Sequence, residues 1–368
     1  MSSFRPRICI VPSPAIAIAG RLGNANFAAM AYGRHSMTLT PRDPIFKTPS
    51  LLMQHARPIA IAGALAGGLL FAYTLRAAGP ALVVGQIRQI GLGFAAVLFL
   101  SGIRMAVRSH AWSLCVDSPE QFTFRDALAA FITGDAVGNV TPLGPVASES
   151  IKAILSRRKL PAADAVSSVV LENIFYSISV AVMVGVGTLA FLLGFRPTEG
   201  PLFVTIGVSL VALIAIVTVW WLLRSQPKVL SRFLQHDVVR NAEKTIFRFA
   251  SAHRDRLGRI LVLEFAFHAA AVLEIYILLW MLLGHSGRTL LLALILETVE
   301  RVITIAFKFV PLRMGVDQAG SGLVAGMIGI GTPTGVTIAT VRTARNLCWA
   351  AVGLALLFKS GVSIGKAG

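Results

Sequence analysis

The sequence predicts an all-α, polytopic integral membrane protein, and three observations predict that class. Hydrophobic residues make up 55% of the 368-residue chain, and its mean hydropathy is +0.74. Charged residues make up only 14%, whereas soluble domains contain about 25%. The apolar residues are also gathered into stretches long enough to cross a bilayer.

These apolar stretches set the expected number of membrane-spanning helices. A helix needs about 20 apolar residues to cross a hydrocarbon layer of about 30 Å. We therefore predict about seven such helices, within a range of six to eight, in a membrane domain over residues 57–360. They are expected near residues 58–77, 88–107, 165–193, 202–223, 260–283, 289–310 and 335–358, and a short tail follows over 361–368.

The N-terminal segment, residues 1–56, is basic and rich in Pro, Gly and Ala, which predicts a disordered tail. An apolar run after Arg5 and Arg7 also has the form of a signal peptide, although two prolines interrupt it. A third interpretation places the true start of the chain at Met37.

Two further stretches, 131–155 and 309–335, are apolar but interrupted by glycine and proline. Irregular backbone at membrane depth is stable only where it is buried in protein or lines a wet cavity. We therefore predict two re-entrant hairpins or broken helices. The alternative is a pair of interfacial loops, each with a short amphipathic helix.

The two broken stretches also resemble each other, which indicates an internal repeat. Pro142 and Pro311 each open a turn that leads into small residues and a short helix. A later proline, Pro161 or Pro333, then opens a long apolar helix. Broken segments at matching positions of two repeats are typical of the binding site of a transporter.

The charge distribution predicts topology and excludes one class of partner. The net charge is +17, but the basic residues fall between the apolar stretches. A nucleic-acid-binding protein would collect them on one face of a packed domain, so no nucleic acid is expected as a partner. The pattern favours contact with anionic headgroups and a positive-inside, multi-pass topology with a cytoplasmic N-terminus.

Ionisable residues inside the apolar stretches locate the expected site. Each charge at the bilayer centre costs about 2.5–3.5 kcal/mol on insertion scales, so such residues face a bundle interior, a wet cavity or each other. We therefore expect a polar pathway within the membrane. The residues are Glu172, Glu264, His268, Glu274, Glu297, Glu300, Arg301 and Arg342.

Two helical stretches carry most of these charges. Glu297 and Arg301 are one turn apart and share a face with Thr304 and Lys308, with Glu300 alongside. This spacing fits either a structural ion pair or a ligand site.

Arg342 and Arg345 also share a helical face. An arginine pair suits bidentate binding of a phosphate, and it would equally pair with the buried acids of other helices. Glu264 and His268 fit a proton relay or a buried hydrogen bond.

The broken stretches supply the remaining candidate binding residues. A helix beginning near Ser148 would direct its N–H groups at an anion, and Glu149 there is also an ordinary capping residue. In the second stretch the matching positions follow Gly315. The candidates are Asn139, Pro142, Gly144, Ser148, Glu149 and Lys152 in the first stretch, and Gly315, Asp317 and Gln318 in the second.

Signals for catalysis are lacking in the sequence. It contains no nucleophile elbow, zinc-protease motif or phosphate-binding loop. Cys9, Cys115 and Cys348 have neither disulfide nor metal-ligand spacing. We therefore expect neither an enzyme nor a cofactor or metal.

The stretches NVTPLGPVASESIKAIL and VPLRMGVDQAGSG resemble the two elements of the lysylphosphatidylglycerol synthase transmembrane-region family, which is flippase-like. The resemblance covers residues 58–358. Two positions depart from it: Gln318 stands near the glutamate of the Pro-Gly-x-x-Gly-x-x-Glu pattern, and Asn173 follows Glu172 where the family has arginine.

The resemblance implies a function in the bacterial inner (plasma) membrane, namely flipping or transport of a membrane lipid. No soluble aminoacyl-transfer domain follows the membrane part in this chain, so lipid aminoacylation is not expected. The lipid would be a phospholipid with an anionic headgroup or a polyprenoid such as a hopanoid. The alternatives are an integral-membrane lipid-modifying enzyme and a non-catalytic membrane partner of a separate soluble lipid-synthesis enzyme.

Overall fold

The all-α class is confirmed by a computed structural model, which describes residues 65–117, 120–141, 144–195, 199–225, 237–307 and 310–360. Helices make up 87% of this described part, and it contains no strand. The helices are α1 (Leu65–Ala78), α2 (Pro80–Ile90), α3 (Gly93–Ser113), α4 (Phe124–Val140), α5 (Gly144–Ser156), α6 (Ala162–Gly194), α7 (Glu199–Ser225), α8 (Asp237–Ala252), α9 (Arg254–Leu283), α10 (Thr289–Ala306), α11 (Val316–Met327) and α12 (Thr332–Lys359), with a 3₁₀ turn at Pro311–Arg313. The predicted tails, 1–56 and 361–368, lie outside the described residues.

The count of seven membrane-spanning helices is not confirmed by the described residues. Four described helices are long and apolar enough to cross a membrane, namely α6, α7, α9 and α12. The bent pair α1–α2, with 90° between its helices, would be a fifth. Helix α10 occupies the predicted 289–310 stretch, but its three buried charges make it too polar to qualify by composition. The predicted 88–107 helix is divided by Gly91, whose φ of 46° ends α2 before α3 begins.

Both predicted breaks are present as turns between helices. Within residues 131–155, α4 ends at Val140, and α5, which packs against α4, begins at Gly144. Residues 309–335 contain the 3₁₀ turn, α11 and the first turn of α12.

The helix order repeats, as the sequence indicated. Helices α4, α5 and α6 have 17, 13 and 33 residues, and α10, α11 and α12 have 18, 12 and 28. Pro161 precedes α6, and Pro333 lies in the first turn of α12. Glu172 and Arg342 are each the eleventh residue of these long helices. The packing repeats as well, because α6 packs on α10 and α12 packs on α4.

Helices α3 and α9, which precede the two halves of the repeat, run antiparallel. Gly93, at the start of α3, lies against Met281 near the end of α9, and Arg104 pairs with Glu274 further along both helices. An inverted repeat requires such an antiparallel relation between its leading helices.

Two apolar clusters pack at opposite ends of the α3–α9 pair. One includes Trp112 and Ile260, and the other includes Val97 and Leu278. Helix α8 covers the first cluster with Ile246 and Phe249. Arg104 of α3 and Glu274 of α9 lie between the clusters, so this buried ion pair is away from both ends of the helix pair.

Glycines allow the closest helix approaches. A Cβ at Gly187 of α6 would overlap Thr298 of α10, and one at Gly353 of α12 would overlap the carbonyl of Ile132 in α4. These contacts are at the matching α6–α10 and α12–α4 interfaces of the two halves.

Gly187→Ala should destabilise the protein by about 1–3 kcal/mol, because the added methyl group would force α6 away from Thr298. Gly185→Ala, two residues away, is the matched control, since a Cβ there meets nothing within 4 Å. It should leave stability unchanged or raise it slightly through helix propensity. Thermal unfolding in detergent measures both effects, and equal melting temperatures for the two variants would contradict this packing.

Candidate functional site

Arg342 lies at the centre of a buried ion-pair network. Its Nη1 is 2.7 Å from Glu297 Oε2 and 2.7 Å from Glu300 Oε2, both on α10. Glu297 is fully buried and also accepts Arg301 Nη2 at 2.6 Å on its other oxygen. The i, i+4 pair expected on α10 is therefore present, and α12 supplies a second cation to it.

Glu274 joins this network from α9. It is fully buried and accepts hydrogen bonds from Arg104 Nη1 of α3, at 2.9 Å, and from Arg345 Nη1 of α12. Its Oε1 also lies 3.3 Å from Arg342 Nε. Four helices are thus held together by charges that none of them could bury alone.

The network has an excess of positive charge. Four arginines face three carboxylates in it. Among the described residues, Arg342 Nη2 and Arg104 Nε are buried without a hydrogen-bonding partner. The neighbouring Arg313–Asp317 pair, 3.3 Å apart, is neutral as a unit and leaves this excess unchanged.

A second charged group surrounds Glu172 on α6. Arg108 Nε of α3 donates to Glu172 Oε1 at 2.5 Å, and its guanidinium lies 3.6 Å from the ring centre of Tyr176. Asn173 donates to Glu149 at 2.7 Å instead of supplying a cation. The cation beside Glu172 therefore comes from another helix, α3.

A cavity of about 150 Å³ opens between these groups. Six arginines line it but only two carboxylates, because Glu274, Glu297 and Glu172 lie behind the arginines. Hydroxyl, amide and aromatic groups complete the wall. The lining residues are Ser101, Arg104, Met105, Arg108, Phe131, Asp135, Asn139, Tyr176, Phe267, Glu300, Arg301, Thr304, Arg313, Arg342, Arg345 and Asn346.

Several candidate residues from the sequence meet at this cavity and others do not. Asn139, Glu300, Arg301, Arg342 and Arg345 line it. The candidates on α5 are placed differently: Ser148 packs against Gly138 of α4, while Lys152 donates to Glu149 at 3.1 Å. Pro142 and Lys308 lie outside the described residues.

The predicted helix start near Ser148 is wrong. Helix α5 begins at Gly144, followed at once by Pro145, whose fixed φ suits a first helical turn. Ser148 and Glu149 therefore lie in the second turn, and their N–H groups do not form an anion-binding helix end.

Gln318 has a structural role in the turn before α11. Its Oε1 accepts the Gly315 N–H at 2.7 Å, and its Nε2 donates to Thr343 of α12 at 3.0 Å. Leu312 in this turn has φ 53°, a conformation that is strained for a branched side chain. The strained turn directs the neighbouring Arg313 to the cavity wall.

The candidate residues predicted from the sequence did not include Arg104 and Arg108, which supply cations from α3. Arg104 falls inside the predicted 88–107 stretch, so the same rule that identified Arg342 would have found it. Asp135, Tyr176 and Arg313 gave no comparable signal, because only the helix packing brings them to the cavity.

Within the described ranges, no group of three or more His, Cys, Asp or Glu side chains could hold a metal ion.

Two apolar grooves lie beside the polar cavity, with volumes of about 410 and 560 Å³. Both run between α6, α7 and α10 and share Val204, Val208 and Val302. Tyr176 lines the larger groove and also the arginine-lined cavity. The arginine-lined cavity and the larger apolar groove therefore share one lining side chain.

The chain belongs to the family described as the lysylphosphatidylglycerol synthase transmembrane region, whose profile matches residues 59–354. This membership confirms the resemblance seen in the sequence. It identifies a membrane protein tied to lipid handling. No curated protein and no solved structure is significantly similar to the chain.

Glu274→Gln should destabilise the protein by about 3–5 kcal/mol, because it leaves Arg104 and Arg345 buried without their shared carboxylate. The matched control is Asp117→Asn, which removes an exposed ion pair with Arg248 and should cost no more than about 1 kcal/mol. Thermal unfolding in detergent distinguishes them. A Glu274 variant as stable as the control would show that the network does not hold the helices together.

Proposed function

We propose that this protein moves a membrane lipid with an anionic phosphate headgroup from one leaflet to the other. The headgroup passes through the arginine-lined cavity while the acyl chains stay in the apolar grooves. The observation that carries the proposal is the excess of arginine at a cavity that shares the lining residue Tyr176 with an apolar groove. A lipid needs a polar site for its headgroup and, at the same time, an apolar surface for its acyl chains.

The chemistry of the cavity favours phosphate over a neutral headgroup. Guanidinium groups bind phosphate oxygens through paired N–H donors, and such charge-assisted bonds are about twice as strong as neutral ones. Arg342 has an Nη2 without a protein partner among the described residues. A neutral polyprenoid such as a hopanoid would leave these donors unsatisfied, so an anionic phospholipid or a polyprenyl phosphate is the better substrate.

The repeated order of helices supports transport rather than static binding. In transporters built this way, the substrate site lies at the interface of the repeats, and the two halves exchange conformations about it. Here Glu172 and Arg342 occupy equivalent positions of the two halves, and the cavity lies between their charged groups.

The proposed setting is the bacterial inner membrane with the N-terminus in the cytoplasm. The basic residues on and around α8, such as Lys244 and Arg248, would then face anionic headgroups of the cytoplasmic leaflet. We propose no covalent change to the lipid, so the protein acts as a transporter and not as an enzyme.

Arg313→Gln should slow translocation of fluorescent phosphatidylglycerol in proteoliposomes by about 10- to 100-fold. This factor corresponds to the free energy of one hydrogen bond to a charged group. Arg313 lines the cavity and its side chain is 18% exposed, so its loss perturbs the core less than loss of Arg342. Arg342→Gln should abolish translocation.

The control for these variants is Arg288→Gln, an exposed arginine before α10 and outside the cavity. Rates equal to wild type for folded Arg313 and Arg342 variants would exclude the cavity as the headgroup path. Mass spectrometry of the lipid after the assay should show an unaltered molecule, and a covalently changed lipid would favour an enzyme.

Gly207→Phe tests the groove separately. A side chain at Gly207 meets no atom within 4 Å, and this residue lines the larger groove, so phenylalanine would occupy the space of an acyl chain. Translocation should fall by at least about 10-fold, with little loss of stability. Gly200→Phe on the same helix also enters open space but lies outside both grooves, and it should behave as wild type. Equal rates for the two variants would remove the groove from the path.

A further inference from the structure

Glu264 on α9 is a buried acid that no step above uses. It is fully buried, and among the described residues neither of its carboxyl oxygens has a hydrogen-bonding partner. The other buried glutamates, such as Glu172, Glu274 and Glu297, each pair with arginine. An ionised carboxylate without partners is too costly to bury, whereas a protonated carboxyl is not.

The charges around Glu264 also indicate that its carboxyl is protonated. It lies within electrostatic reach of Arg108 on α3, Glu172 on α6 and Lys152 on α5. Arg108 already binds Glu172, and Lys152 already binds Glu149. Two cations therefore face three acids in this part of the structure, and a proton on Glu264 balances them.

The remaining titratable neighbours do not supply a counter-charge. His268, one turn along α9, contacts Ser179 Oγ through Nε2 at 3.1 Å and has a buried Nδ1 without a partner among the described residues. The His268 ring stacks on Tyr176, and Cys115 at the end of α3 is buried in the apolar cluster.

We propose that Glu264 is a proton-binding site of the transport cycle, and that its proton and the anionic headgroup bind cooperatively through their shared neighbour Arg108. Arg108 lines the cavity and is also a neighbour of Glu264. With Glu264 protonated, Glu172 alone opposes Arg108, and the cavity keeps its excess positive charge. When the carboxyl O–H bond breaks and the proton leaves to water, a second carboxylate opposes Arg108 and repels the headgroup.

This coupling rests on the proposed function and must be reciprocal. If the proton raises the affinity for the anion, the anion raises the affinity for the proton by the same factor, commonly about 5- to 150-fold. Affinity for an anionic lipid should therefore be highest at low pH and fall as the pH rises through the range in which Glu264 ionises.

The first experiment tests the proton itself, by infrared spectroscopy of the purified full-length protein in detergent near neutral pH. The wild type should show the carbonyl band of a protonated carboxyl, and Glu264→Gln should lose intensity in it. Asp255→Asn, an exposed acid at the start of the same helix, should keep the full band. A band that is absent from the wild type, or unchanged in the Glu264 variant, would overturn the proposal.

The second experiment tests the coupling. Binding of short-chain phosphatidylglycerol, whose phosphodiester does not titrate in this range, is measured from about pH 5 to about pH 9, the range in which buried glutamates ionise. Wild type and Asp255→Asn should lose about 10-fold in affinity across the series, and Glu264→Gln should bind equally at every pH. A Glu264 variant that keeps the wild-type pH dependence would overturn the coupling. If phosphatidylglycerol binds no variant at any pH, the proposed function fails and the coupling with it, while the infrared band still decides whether Glu264 holds a proton.

Discussion

The guanidinium of Arg342 is almost fully buried inside the bundle, and the need to neutralise it there organises the structure around it. Glu297 and Glu300 reach it from α10, and Glu274 reaches it from α9. Removing one member of such a group leaves a buried charge, which costs far more than the intact group contributes. The charges therefore restrict which arrangements of α3, α9, α10 and α12 are possible, in a way that apolar contacts alone would not.

This arrangement also explains how a membrane bundle can keep a polar chamber. The acids lie behind the arginines, so each arginine is partly neutralised and still presents N–H groups to the cavity. Apolar clusters at both ends of the α3–α9 pair separate the chamber from the ends of the bundle. A lipid headgroup would complete the balance of charge, and the apolar grooves beside Tyr176 would hold its chains.

The sequence predicts the helical class, the breaks near 141 and 312 and the family, because composition and glycine–proline patterns are local signals. It also identifies Glu297, Arg301 and Arg342, since a charge in an apolar stretch stands out without knowledge of the fold. It does not establish the number of spans, since α10 carries three charges that leave it too polar to be recognised as a span by composition. It places the α5 helix start too late and does not reveal Arg108 as the partner of Glu172, because both depend on packing between distant segments.

The most direct test of this account is an experimental structure of the protein in a phosphatidylglycerol bilayer. The account predicts a lipid phosphate within hydrogen-bonding distance of Arg313 and Arg342, with acyl-chain density in the groove lined by Val208 and Val302. A cavity that excludes phosphate, or arginines that are saturated by Glu297 and Glu300 and closed to both leaflets, would contradict it.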